Sequence, residues 1–458
     1  MLRNKRWRNA LATALLLGVV LIVNTPATRS AIPDQAPRRL LVISPHPDDE
    51  SLAGMAMIQR TLNSGGRVRI VMMTNGDGFR QAAAREFNVS TPKPQHMYQL
   101  GLLRQQEELA AIRRLGLRSQ DVLMLGYPDA GLHQLWNNHW NLRVPYMAVN
   151  GYNRVPYDKA YHQQAPYCGQ AVVGDLRQVL ADFAPTDVLY PDPHDIHRDH
   201  WATSAFTQYA LVGLPRPPQE WTYLIHYPNY PQPRKYRPDR PLQPPHKLLR
   251  LGTDWHALPI ASAQATQKHG AILSHASQIK MMRHLLESFV RTNDLIGSHA
   301  TPTVARGTSA NELLTAKHLP HVVVRDARRD QDGFERAWAD IRQIAALRTP
   351  KHLHLCIEFA GPIRSAHQYS VSLRMPDSRP GSSSRLDLTL EQGILRYAQE
   401  TSGSLELSYK IHNHRLLLTI PLSALSNVDT VLVSAQVNKG KQILDSTAWQ
   451  RINLSANS

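Results

Sequence analysis

Leu40 to Gly54 reads Leu-Leu-Val-Ile-Ser-Pro-His-Pro-Asp-Asp-Glu-Ser-Leu-Ala-Gly. The apolar run Leu40 to Ile43 stops at Ser44-Pro45, as a strand buried on both faces ends, and beyond Glu50 apolar residues recur at helical spacing. The stretch predicts a strand feeding a helix, with His46, Asp48, Asp49 and Glu50 in the turn between them. Open α/β sheets place their sites beyond the carboxyl ends of the strands, where this turn would lie. One imidazole and three carboxylates gathered there need a partner, and a hard or borderline divalent metal satisfies them at least cost. Taken alone, the turn would also serve as a solvated acidic loop, with Asp48 or Asp49 capping the helix.

A second stretch, Asp187 to Trp201, repeats the arrangement: Asp-Val-Leu-Tyr-Pro-Asp-Pro-His-Asp-Ile-His-Arg-Asp-His-Trp. A short apolar strand, Val188 to Tyr190, ends at a proline, and His and Asp residues follow before an amphipathic helix expected from about Trp201 to Leu211. If both strands belong to one parallel sheet, both clusters emerge at the same edge and can close on one ion.

His46-Pro47-Asp48-Asp49-Glu50 together with His197-Arg198-Asp199-His200 resembles the PIG-L/LmbE family of zinc-dependent de-N-acetylases, which act mostly on N-acetylglucosaminyl groups. Further stretches are similar to that family in the same order: Val68 to Gly78 with its Thr-Asn-Gly turn, Arg104 and Glu107, Leu115-Gly116, Leu125 to Asp129, and His275-Ala276-Ser277-Gln278. The resemblance covers roughly Arg38 to Ile296. It implies three metal ligands, His46, Asp49 and His200, in keeping with a catalytic zinc that takes three N or O protein ligands and keeps one position open. Iron, cobalt or manganese would also suit such a donor set. The resemblance further implies Asp48 as general base and His197 as the group that stabilises the oxyanion and protonates the leaving amine. Asp199 beside it would orient its ring or hold its charge.

Arg198 stands where the family more often has proline, which leaves the ligand spacing intact. His194 and Asp195 are expected to line or shape the rim of the site rather than ligate. Glu50 is expected to be structural, pairing with a neighbouring loop or capping the helix at Ser51.

From Arg38 to Ile296 strands and helices alternate, which predicts an α/β domain: a Rossmann-like, mostly parallel sheet with helices on both faces. A long helix is expected from about His96 to Leu115 and a helical pattern from about Ala263 to Leu295. Between Pro128 and Gln170 lies a long segment holding Trp136, Trp140, Tyr146, Tyr152, Tyr157 and Tyr161; loops of this length are usually functional, and the aromatics suit sugar faces or the packing of a lid. His275, on a late helix, could approach the site.

The N-terminus opens with Arg3, Lys5, Arg6 and Arg8 and then an apolar run of about 13 residues, Leu11 to Val23, shorter than the roughly 20 that a spanning helix needs. This reads as a signal peptide or N-terminal anchor over residues 1–35, and the expected location is exported: periplasmic, extracellular or held at the outer face of the cytoplasmic membrane. The expected domains are then 36–298, the metal-dependent deacetylase-like domain, a linker at 299–318, and 319–458. The last region turns to period-two patterning, from Val322 to Val324 through His354 to Phe359, Leu405 to Tyr409 and Val431 to Val437, which predicts a β-sandwich. That module would bind carbohydrate or serve in docking, unless its aromatics Phe359, Tyr369, Tyr397 and Trp449 are all core.

The chain has 458 residues, 42% hydrophobic, enough for more than one core. Its two cysteines, Cys168 and Cys356, fall in different expected domains and are read as buried free thiols. The net charge is +16, spread along the chain. For an exported chain this favours anionic envelope polymers over nucleic acid, or a solvated basic surface with no specific partner, and membrane contact only through the N-terminal segment. The resulting expectation is an exported hydrolase that removes N-acetyl groups from N-acetylglucosamine-type sugars in a glycoconjugate or polysaccharide. The alternatives are an amidase for other acyl amides, or a glycan-binding protein without catalysis.

Overall fold

The computed structural model of the chain describes residues 38–328, 338–376, 383–399, 405–425 and 428–454. The expected signal or anchor at residues 1–35 lies outside them. Among the described residues no helix is long and apolar enough to cross a membrane.

The first domain is built on β1 (Arg39–Ser44), β2 (Arg67–Thr74), β3 (Val122–Tyr127), β4 (Asp187–Pro191), β5 (Gln219–Tyr223), β6 (Asp254–Pro259) and β7 (Asn293–Ser298), in the order β3-β2-β1-β4-β5-β7-β6. The first five in that order run parallel, and β7 runs antiparallel to both its neighbours. The order reverses between β1 and β4, the switch point beyond whose carboxyl strand ends open α/β sheets form their crevice. The two strands that meet there carry the two clusters read from the sequence.

β1 reads as continuous hydrophobics because both its faces are covered. Leu40 and Val42 pack on one side with α1 (Asp49–Ala53) and α2 (Met55–Asn63), while Leu41 and Ile43 pack on the other. In chain order the remaining helices are α3 (Arg80–Glu86), α4 (Pro94–Arg114), α5 (Leu132–Asn137), α6 (Gly169–Phe183), α7 (Arg198–Leu211), α8 (Ser262–Ser274) and α9 (Ala276–Leu286). Helices α5, α6 and α7 cover the second face, and α4 and α8 share the first. The expected helices over His96–Leu115 and Trp201–Leu211 are thus present, with starts at Pro94 and Arg198.

The expected helical pattern from Ala263 to Leu295 is corrected by the structure. The chain breaks between α8 and α9 at His275, leaves helical geometry at Met282, and finishes as strand β7. The sequence Asn-Asp-Leu-Ile-Gly-Ser is a poor strand former on its own, and tertiary contacts decide its conformation. Asn293 bonds both backbone groups of Leu242, and Asp294 pairs with buried Lys268 of α8 while accepting from Ala56 N at 2.7 Å.

The C-terminal region is a sandwich of two antiparallel-rich, six-stranded sheets. One holds β8 (Ala305–Arg306), β9 (Val322–Arg325), β10 (Ile341–Arg348), β11 (His352–Phe359), β15 (Ser408–His412) and β16 (Arg415–Pro421). The other holds β12 (Gln368–Pro376), β13 (Ser383–Glu391), β14 (Ile394–Gln399), β17 (Thr430–Lys439), β18 (Gln442–Ser446) and β19 (Gln450–Asn453). The strand expected over Leu405–Tyr409 begins at Ser408 instead. Residues 299–318, read as linker, contribute β8, which pairs with β10, and α10 (Asn311–Thr315), whose Leu313 and Leu314 pack with Leu347, Cys356 and Leu417. Both cysteines are free and buried.

The sandwich docks on the second face of the first domain. Trp449 joins Trp136, Trp140, Phe206 and Tyr209 in one aromatic cluster, with the Trp136 and Trp449 ring centres 5.2 Å apart. Within the 128–170 segment this corrects the sugar-facing reading for Trp136, Trp140 and Tyr157, which are buried packing residues, while Tyr146 and Tyr161 are half-buried and Tyr152 is exposed. Of the sandwich aromatics, Phe359 and Tyr369 are core and Tyr397 is exposed.

Candidate metal centre and active site

The turn after β1 brings together three donor atoms. His46 Nδ1 lies 3.3 Å from Asp49 Oδ2, His200 Nε2 lies 3.4 Å from the same oxygen, and the two nitrogens are 3.3 Å apart. An ion bonded at 2.0–2.1 Å at the centre of a tetrahedron leaves its corners about 3.3–3.4 Å apart, so the three atoms form one face of such a shell. All three residues are buried. The donor set of two imidazoles and one carboxylate fits zinc or a similar divalent metal.

Carboxylates behind the two histidines select the ring nitrogens that face inward. His200 Nδ1 lies 3.1 Å from Asp195 Oδ2, and His46 Nε2 lies 3.1 Å from Asp129 Oδ1. Each carboxylate takes the ring N–H and leaves the opposite nitrogen with its lone pair toward the site. Burial opposes charge on His46, yet Asp129, Asp199 and Asp49 together hold its pKa well above the usual histidine value. Burial works against the Asp49 carboxylate too, but His200 and His46 outweigh it and hold its pKa low.

Asp195 and His194, expected at the rim, are both buried. Asp195 accepts from the backbone N–H groups of His197, Ile225 and His226 as well as from His200. His194 pairs instead with Asp192 at 3.0 Å. Arg198 is exposed.

Asp48 stands beside the donor triangle in a backbone conformation, φ 128°, that L residues rarely adopt and that must be held by its surroundings. Its side chain makes no capping bond to α1, which disposes of the capping reading for this residue. Arg104 of α4 holds the turn: its Nη2 donates to Pro47 O at 2.7 Å and lies 3.4 Å from Asp48 Oδ2, and its Nη1 donates to Gly76 O. Burial pushes the Asp48 carboxyl up to about 8, with Arg104 pulling the other way and Asp49 adding to the rise.

His197 caps α7, its Nδ1 accepting from Asp199 N at 3.3 Å, which leaves the ring proton on Nε2. The Asp199 carboxylate does not face this ring. It accepts from the N–H groups of Ala130 and Leu132 and lies 3.5 Å from His46 Nε2. Asp199 therefore supports His46 and the loop before α5, and touches His197 only through its backbone.

Three residues with no role in the sequence reading also contribute. Asp129 is tied by Gly78 N at 2.7 Å and by Ala130 N. His226, after β5, has its ring 4.6 Å from His200 and 4.9 Å from His197, centre to centre, and could bring a nitrogen to the same ion. Its backbone tie to Asp195 has no sequence signature, because it depends on β5 lying next to β4. Asp77 accepts from Tyr157 OH at 2.6 Å and from Asn150, tying the 128–170 segment to the β2 turn.

Glu50 is structural in position: it accepts from Ser51 Oγ and from Asp48 N. Beneath the site it meets Glu108 and His275, all three buried. His275 thus approaches the floor of the site but is not one of the three donors.

Residues 41–211 match the PIG-L family, described as GlcNAc-PI de-N-acetylase. The matched stretch lies within the first domain and carries both clusters of the site. No curated protein matches the chain. Among solved structures it is similar to Dbv21, the A40926 pseudoaglycone deacetylase, at 20% identity over 58% of this chain and 97% of that one, with a TM-score of 0.37. It is likewise similar to the N,N'-diacetylchitobiose deacetylase of Pyrococcus horikoshii (20% identity, 54% and 75% covered, TM-score 0.30). GalB, a 4-carboxy-2-hydroxymuconate hydratase of Pseudomonas putida KT2440, is also similar (14% identity, 59% and 100% covered, TM-score 0.35).

Proposed function

We propose that the chain is a metal-dependent hydrolase that removes N-acetyl groups from N-acetylglucosamine-type sugars of a glycoconjugate or polysaccharide, working outside the cytoplasmic membrane. The match of residues 41–211 to the PIG-L family supports de-N-acetylation, and one observation carries the metal dependence: the three-atom face of His46, Asp49 and His200, with Asp48 beside it against Arg104. The net charge of +16 is in keeping with anionic envelope polymers around the substrate.

Hydrolysis of an amide needs an activated water, a stabilised oxyanion and a proton for the leaving amine. A divalent metal, when bound at the triangle, supplies Lewis-acid polarisation and lowers the pKa of water from about 15.7 towards about 7. With a cation at the triangle offsetting the burial that raises its carboxyl, Asp48, held by Arg104 and the fixed turn, is ionised and takes the proton from the attacking water. His197 donates from Nε2 to the acyl oxygen as negative charge develops there. Because its Nδ1 already accepts a backbone hydrogen bond, His197 is neutral, and Asp48 is the better group to return the proton to the departing amine. This divides the labour differently from the sequence expectation, which gives that proton to His197.

Acetate release by the purified chain, metal-loaded, against N-acetylglucosamine oligomers and glycoconjugates tests the reading, with Asp48→Asn run in parallel. Release by the parent that is lost in the variant at unchanged metal content is the expected result. No release from any substrate, with equal sugar binding by both proteins, moves the weight to a binding protein.

A further inference from the structure

Helix α5 is gripped at both ends. At its start, Ala130 N and Leu132 N donate to the Asp199 carboxylate at 2.6 and 3.0 Å, and that carboxylate stands 3.5 Å from His46. At its end, Arg374 of β12 donates to the carbonyl of Trp136, and Arg385 of β13 donates to the carbonyl of Asn137. The last carbonyls of a helix lack partners within it and carry its negative end, and two guanidinium groups supply what they lack. Arg374 is fully buried, with its guanidinium carbon 3.9 Å from the Trp140 ring centre and 4.6 Å from that of Trp136.

The sandwich also holds α7, the helix that carries Asp199 and His200. Gln208 of α7 donates to Trp449 O and accepts from Arg451 N, and Arg451 reaches Glu220 at the start of β5. A tethered, independent module would not bury an arginine to reach a two-turn helix, because desolvating that charge is costly. The contacts fall on the two helices that meet at Asp199.

We propose that the sandwich is a working part of the active site, with Arg374 and Arg385 as positioning residues that fix α5 and, through Ala130 and Leu132, set the Asp199 carboxylate against His46. The proposal rests on the reading of His46 as a ligand in the preceding section. It gives the C-terminal region a task that needs no glycan-binding surface of its own. Removing the sandwich contacts loosens the α5 end, and the loss appears at the metal centre.

The test compares the full chain with Arg374→Ala, Arg385→Ala and a control, Arg364→Ala, whose guanidinium carbon lies 3.5 Å from the Trp338 ring centre within the sandwich. Amide hydrogen exchange over residues 128–138 and zinc affinity by chelator competition are read for each. Exchange should quicken about tenfold or more in the first two variants, zinc should bind several-fold more weakly, and the control should do neither. Arg374→Ala combined with Asp199→Asn should weaken zinc no further than Asp199→Asn alone. Unchanged exchange, or effects that add in full, would overturn the proposal. Should Arg374→Ala fail to fold, Arg385→Ala at its half-buried position decides. A parent chain that binds no zinc sinks the metal reading, while the exchange result still decides whether the sandwich holds α5.

Discussion

His200 Nδ1 and Asp195 Oδ2 lie 3.1 Å apart in a fully buried pair, and that contact decides which nitrogen of His200 faces His46 and Asp49. The same carboxylate accepts from the N–H groups of His197 and His226, so one residue sets the ring or backbone of three histidines. Replacing it with asparagine keeps the size and removes half its accepting capacity. Asp195→Asn should lower metal affinity or activity by about 10- to 100-fold, the usual cost of losing a carboxylate behind a metal-binding histidine. Chelator competition measures it directly, and unchanged affinity would separate Asp195 from the metal centre.

Asp48→Asn leaves the donor triangle intact and removes a proton acceptor. The expected loss is about 10²- to 10⁴-fold in kcat, with metal content and KM close to those of the parent. A loss confined to KM would mean that Asp48 binds substrate and does not move a proton.

Much of the centre is legible in the amino-acid sequence. His46, Asp48, Asp49, His197, Asp199 and His200 sit next to strand ends marked by prolines, and local sequence fixes where a strand stops. What is not legible depends on neighbours in the sheet. Asp195 reads as a rim residue because its ties to Ile225 and His226 exist only once β5 lies beside β4. The contact of Asp199 with Ala130 and Leu132, rather than with the ring of adjacent His197, likewise follows from where α5 packs. In β7 the polar residues Asn293 and Asp294 hide a strand, since their partners Leu242 and Lys268 lie 51 and 26 residues earlier in the chain.

Lys268 and Asp294 form a buried pair linking α8 to β7, and burial pushes the Asp294 carboxyl upward against the pull of Lys268. Removing one partner leaves the other charge buried and unmatched. Lys268→Ala should therefore cost about 3–5 kcal/mol in chemical denaturation. Lys268→Met together with Asp294→Leu should recover much of that loss, because no unpaired charge then remains.

His275 is fully buried, and burial, with Arg104 adding to it, pushes its pKa down from 6.5 to about 3. The unfolded chain binds the proton more readily than the folded one. The contribution of His275 to stability is therefore complete above about 6.5 and falls as pH drops towards 3, by up to about 1.4 kcal/mol per pH unit. Urea midpoints measured from pH 7 to pH 4 should fall less steeply in His275→Gln than in the parent. Parallel curves would mean that His275 stays neutral in both states or titrates alike in both.

Gly76 has φ +66°, and a Cβ there would come 1.9 Å from Arg104 Nη1. Alanine at this position faces two separate penalties, left-handed strain and the displacement of Arg104 from Pro47 and Gly76. Gly65 separates them: its φ is +75°, but nothing lies within 4 Å of the added carbon. Gly65→Ala should cost about 1 kcal/mol in stability through the backbone alone and leave acetate release unchanged. Gly76→Ala should cost more and also lower kcat, because Arg104 no longer holds the turn that carries Asp48. Combining Gly76→Ala with Arg104→Ala should lower kcat little beyond Arg104→Ala alone, since the clash then has no partner. If the two substitutions instead act additively on kcat, the path from Gly76 to Asp48 does not run through Arg104.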